Sequence, residues 1–119
     1  TPRYPLPPGG SWAQLKSYWP TPDAQYMQMT GLESRVAVES SCQWQQFFID
    51  GSSAHDPAIV KAALTRIDQV PSWPIIRRVD GGAFTESLRH MARLAHQGDL
   101  TEFTRLHVMN CNPPAVLRR

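Results

Sequence analysis

Thr30-Gly31-Leu32-Glu33-Ser34-Arg35-Val36-Ala37-Val38-Glu39-Ser40-Ser41-Cys42-Gln43-Trp44-Gln45-Gln46-Phe47-Phe48-Ile49-Asp50 is the stretch whose reading decides the fold class. Thr30 followed three positions later by Glu33 has the spacing of a capping box, in which each side chain accepts from an amide that the first helical turn leaves free. The stretch therefore predicts a helix over about residues 31 to 50. At about 100° per residue, Leu32, Val36, Ser40, Gln43 and Phe47 share one face, which Ala37, Trp44 and Phe48 widen. Val38, Cys42 and Ile49 lie on a separate flank. Apolar side chains on two faces call for burial from more than one side, which makes this helix the central element of an all-α domain.

The flanking segments supply its packing partners. Asp56-Pro57 is a start signal, because Asp caps free amides and proline at the first helical position gives up no hydrogen bond. A helix over 57 to 70 follows, with Ile59, Val60, Ala63, Ile67 and Val70 on one side. Pro71 ends it, and Ser72-Trp73-Pro74-Ile75-Ile76 reads as an extended connector. Asp80-Gly81-Gly82 is a turn, and a further helix over 83 to 97 places Phe84, Leu88, Met91 and Ala95 on one stripe. Gly98 suits the left-handed position past a helix end, and Asp99 to Glu102 repeats the capping logic for a last helix. Its stripe holds Leu100, Phe103, His107 and Cys111. Ser11 to Gln14 predicts a short additional helix through about Tyr18. The expected fold is thus a small disulfide-linked bundle of four main helices plus a short N-terminal one. No alternation long enough for a sheet and no internal repeat opposes it.

Composition bounds the function classes. In 119 residues, 41% are hydrophobic, 18% are charged and no uninterrupted apolar run exceeds three residues, so neither a membrane-spanning helix nor a disordered chain fits. The formal charge, 12 − 10 = +2, is too small and dispersed to require nucleic acid as a partner. Residues 1–10 hold four of the eleven prolines and two of the seven glycines, the composition of a stalk or linker. The expected organisation is a stalk over 1–10, a helical domain over 11–112 and a tail over 113–119. Removing residues 1 to 10 should then leave thermal stability unchanged. The chain begins at Thr1, and the expectation is that a signal peptide or membrane anchor has been removed ahead of it.

There are two cysteines, Cys42 and Cys111, and no Cys-x-x-Cys pair, which excludes a zinc finger. In an oxidising compartment a single intramolecular disulfide is the simplest account, and the stripe of the last helix carries Cys111 toward the flank of Cys42. Two buried free thiols are the alternative.

Ser41-Cys42-Gln43-Trp44-Gln45-Gln46-Phe47-Phe48-Ile49, the lead-in Pro5-Leu6-Pro7-Pro8-Gly9-Gly10-Ser11-Trp12, Gly98-Asp99 and Asn110-Cys111 together resemble small actinobacterial extracytoplasmic proteins. In these a Pro-rich stalk precedes a helical domain with one Cys-x-Trp helix and a late Asn-Cys. The resemblance implies secretion or anchoring on the outer face of the cytoplasmic membrane and a Cys42 to Cys111 bridge. It transfers no active site.

Catalytic signals are thin, and no catalytic residue is assigned. No Gly-x-Ser-x-Gly elbow frames any serine, and Ser52-Ser53-Ala54-His55-Asp56 reads as a loop leading to a helix cap. His90 and His96 point apart on one helix, so neither a metal site nor a cofactor is expected. Two loci stand out. Arg77, Arg78, Arg89, Arg93 and His96 form one basic face if the connector folds back over the 83 to 97 helix, although local pairing with Glu86 would neutralise part of it. Trp44, Trp73 and His107 would line a ligand pocket if their segments converge, against the plainer reading of tryptophans as core and His107 as a satisfied core histidine. The leading expectation is a non-enzymatic extracytoplasmic module acting on a protein or cell-envelope partner, joined to a membrane only through a removed N-terminal anchor. The competing one is a small ligand-binding or hydrolytic protein.

Overall fold

Proline, glycine and short polar side chains punctuate the chain where the helices begin and end. The computed structural model describes residues 4–13 and 29–111. Among these are five helices and no strand: α1 (Met29–Ser53), α2 (Pro57–Gln69), α3 (Pro74–Arg77), α4 (Ala83–Gln97) and α5 (Leu100–Cys111), with 3-10 turns at Val70–Ser72 and Val79–Gly82. The fold is all-α, as expected. No helix among the described residues is long and apolar enough to cross a membrane. The tail over 113–119 and most of the short helix expected over 11 to 18 lie outside the described residues. Of that helix's start, Ser11 Oγ accepts from Ala13 N at 3.0 Å.

α1 is the central element. Its buried positions are Val36, Ala37, Ser40, Ser41, Trp44, Gln45, Phe48 and Gly51. This face is rotated from the one centred on Gln43 and Phe47 that the periodicity favours, because α5 packs against the Gln45 side. Phe48, 2% exposed, meets Phe103 of α5, 0% exposed, with ring centroids 4.9 Å apart at 65°. Val36, Ala63, Ile67, Val70, Ile75, Ile76, Leu88, Met91, Leu94 and Ala95 complete the core.

The helix ends follow capping chemistry. Asp56 Oδ1 accepts from Ala58 N at 3.1 Å and Ile59 N at 3.2 Å, with Pro57 at the first helical position. Asp99 Oδ1 accepts from Glu102 N at 3.1 Å. α4 closes with Gly98 N donating to Ala95 O (3.1 Å) and Asp99 N to Leu94 O (3.0 Å), the paired bonds of a Schellman motif with Gly98 left-handed at φ 76°. α1 closes the same way, His55 N to Ser52 O (3.2 Å) and Asp56 N to Gly51 O (2.9 Å), but the left-handed position is taken by His55 at φ 56°. An L side chain there crowds its own carbonyl. Replacing His55 with Gly should therefore raise stability by about 1 kcal/mol. A thermal melt in which His55→Gly unfolds below wild type would show that the side chain has a structural task.

Two expectations change. Ser72 to Ile76 is not an extended connector: Trp73 alone is extended (φ −64°, ψ 129°), and Pro74 opens the one-turn α3, which buries Ile75 and Ile76. Proline at a first helical position explains it. Nor are residues 4–10 a free stalk. Tyr4 is 6% exposed and Pro7 is buried, so the segment is a strap laid against α1. Removing residues 1 to 10 would strip this packing from the core.

Candidate functional site

Cys42 on α1 and Cys111 at the end of α5 form a disulfide, with Cα atoms 5.6 Å apart and a sequence separation of 69. The bridge ties the central helix to the last one. Beside it lies a polar cluster that the sequence marks only through His107. Three of its members, Ser41, Gln45 and His107, come from the facing surfaces of α1 and α5; Gln46 and Asp50 extend it along α1 toward solvent.

His107 Nδ1 lies 2.8 Å from Gln45 Oε1 and Nε2 lies 3.2 Å from Gln46 Oε1. Gln46 Nε2 donates to Asp50 Oδ1 at 2.9 Å, and Gln45 Nε2 lies 3.4 Å from Ser41 Oγ. Two amide oxygens facing both ring nitrogens suit an imidazolium, since a neutral ring donates from one nitrogen only. Burial works against that form: it lowers the His107 pKa from its ordinary value, and the Asp50 carboxylate opposes the shift less strongly. The two ends of a glutamine amide have the same shape, and turning Gln45 over removes the conflict. Ser41 Oγ then donates to Gln45 Oε1, Gln45 Nε2 to His107 Nδ1, His107 Nε2 to Gln46 Oε1, and Gln46 Nε2 to Asp50. Each of these four contacts then joins one donor to one acceptor. The turned amide also suits the Cys111 sulfur, which sits 3.2 Å from the Gln45 terminal atom and, being disulfide-bonded, has no proton to donate. We assign the neutral ring.

A folded-state pKa below the unfolded value means that the unfolded chain takes up the proton first. The stability carried by the neutral ring is thus complete above about pH 6.5 and is lost as pH falls through the lowered folded value. His107→Gln cannot titrate. The gap in melting temperature between wild type and His107→Gln should therefore narrow from about pH 8 to about pH 5. A gap that stays constant would show that His107 does not titrate differently in the fold.

The residues expected to line one ligand pocket fall into two clusters. Trp44, 6% exposed, donates from Nε1 to Pro5 O at 2.9 Å, meets the Phe47 ring edge-on at 5.7 Å, and has the Arg66 guanidinium 5.7 Å from its ring. Trp73 packs against Tyr4, centroids 5.2 Å apart. Both contact the strap, whereas His107 belongs to the glutamine cluster. The five residues of the expected basic face are all exposed. Arg89 pairs with Glu86 at 2.6 Å, which neutralises part of it, and His96 Nε2 lies 2.8 Å from Asp68 of α2. Arg77, Arg78 and Arg93 make no ion pair among the described residues. Asn110 Nδ2 donates to Ser87 Oγ at 3.2 Å and so holds the end of α5 to α4. Among the described residues no three His, Cys, Asp or Glu side chains gather closely enough to hold a metal ion.

Sequence reasoning missed the strap. Its signals were Tyr4 ahead of Pro5 and the Pro8-Gly9 pair. Gly10 N donates to Pro7 O at 2.8 Å and Gly9 has φ 82°, which makes Pro7 to Gly10 a type II turn. A Cβ on Gly10 would stand 2.6 Å from Gln43 Oε1, so glycine lets the strap close onto α1. Comparison of the chain with protein-family models, with curated proteins and with solved structures produced no match.

Proposed function

We propose that this chain is a non-enzymatic extracytoplasmic module, secreted or displayed on the outer face of the cytoplasmic membrane, that binds a protein or cell-envelope partner. The observation that carries the reading is the Cys42–Cys111 disulfide, since such bonds persist in oxidising compartments and are rare in the cytosol. The resemblance to small actinobacterial extracytoplasmic proteins points the same way. His107 spends both ring nitrogens on glutamines, which favours a structural over a catalytic task. A hydrolytic site shared by Trp44, Trp73 and His107 has no support in their contacts.

Lys61 is exposed on α2 and gives a handle for the test. A membrane-impermeant amine reagent applied to intact cells should label it, or the protein should be recovered from the medium. Labelling only after lysis would contradict the reading.

A further inference from the structure

We propose that the face of α1 carrying Glu33, Ser40, Gln43 and Trp44, completed by Trp73, is a groove for proline-rich peptide segments, filled in the free chain by residues 4–11. The proposal rests on the binding-module reading and names the chemical class of its partner: an extended segment of a protein with the pattern aromatic-Pro-x-Pro.

The argument begins with what the groove reads. Pro5 O accepts twice, from Ser40 Oγ at 2.5 Å and Trp44 Nε1 at 2.9 Å. Gln43 holds the backbone of Ser11 from both sides, Oε1 accepting from Ser11 N at 3.1 Å and Nε2 donating to Ser11 O at 2.6 Å. These are contacts to main-chain atoms, which any chain of the same path presents. Proline has no N–H, so a Pro-rich segment offers mainly carbonyls, and at Pro5 the groove answers with two donors. Side-chain reading centres on Tyr4, which packs against Trp73 with the ring planes tilted by 55° and whose hydroxyl donates to Glu33, while Pro7 is also buried. Aromatic-lined grooves that exploit a preformed extended backbone are the means by which proline-rich segments are recognised between chains.

The bound segment is also prepared for its path. Pro5, Pro7 and Pro8 fix φ, and Tyr4, Leu6 and Pro7 each precede a proline and so favour extended backbone. A stiff segment loses little entropy on docking, in cis or in trans. The strap and the groove belong to one chain, and such intramolecular linkage sets an effective concentration on the order of millimolar. The strap is therefore a resident competitor that an incoming peptide must displace.

The probe is a fluorescent synthetic peptide of the sequence Thr1 to Trp12, titrated into the full chain and into full-length Tyr4→Ala, whose strap is weakened and whose groove is intact. Tyr4→Ala should bind the peptide at least on the order of tenfold more tightly than wild type, because truncating a buried aromatic anchor releases the competitor. Adding Ser40→Ala should reverse most of that gain. Equal binding by both chains, with helical circular dichroism unchanged, would overturn the proposal, as would equal binding of a scrambled peptide. If Tyr4→Ala fails to fold, wild type decides alone. Millimolar peptide should shift the Trp44 indole N–H and Gln43 side-chain amide resonances, and unmoved resonances overturn the groove. Failure here leaves the surface-labelling result untouched, and a cytoplasmic location would leave peptide binding untouched.

Discussion

Truncating Phe103 to alanine should lower the free energy of unfolding by about 3–5 kcal/mol, the range for removing a fully buried aromatic ring. Phe103 is 0% exposed and seats edge-on against Phe48 at 4.9 Å, so its removal opens a void between α1 and α5 that flanking helices cannot fill without moving. Urea unfolding is the measurement. The midpoint should fall with the slope unchanged, because the same surface is exposed on unfolding. A loss below about 1 kcal/mol would mean that α5 is not seated on α1 as described. Phe48→Ala should cost a similar amount. The double variant should cost less than the sum, since the two rings share one contact.

Converting both cysteines to serine should cost about 4 kcal/mol by the chain-entropy account, with native-state relaxation reducing the observed loss. The sequence separation of 69 makes the constrained loop long, so the unfolded chain regains much freedom when the bond is absent. For a chain of this size such a loss lowers the melting temperature by on the order of 10–20 °C. Reductant should act on wild type as the substitutions do and have no effect on the serine variant. Because Phe103 and the disulfide both hold α5 to α1, removing both should depart from additivity. Full additivity would show that α5 has other sufficient anchors.

What could be read in advance follows physical range. Asp56-Pro57, Gly98 and Asp99 act on backbone groups close by in the chain, and the start of α2, the end of α4 and the start of α5 were legible for that reason. The Cys111 stripe was legible from periodicity. Pro74 was ambiguous, because proline both favours an extended residue before it and suits a first helical position; Trp73 and Pro74 use both properties at once. Ser40, which periodicity places on the apolar face, is buried, and so are Ser41 and Gln45, which periodicity assigns to solvent unless a partner is known. The partners are Pro5, 35 residues before Ser40, and His107, 62 residues after Gln45. The strap was missed on similar grounds. Proline and glycine content describes a segment's stiffness and leaves open whether a tryptophan donor elsewhere in the chain awaits one of its carbonyls.

The account depends most on α1 being bonded to the end of α5 in the protein as cells hold it. Rapid alkylation of native cells, followed by digestion and mass spectrometry without reductant, measures this directly. A peptide joining Cys42 to Cys111, with neither thiol alkylated, is the predicted result. Two alkylated cysteines in protein that is folded and freshly drawn from its own compartment would contradict it, and with it the extracytoplasmic reading.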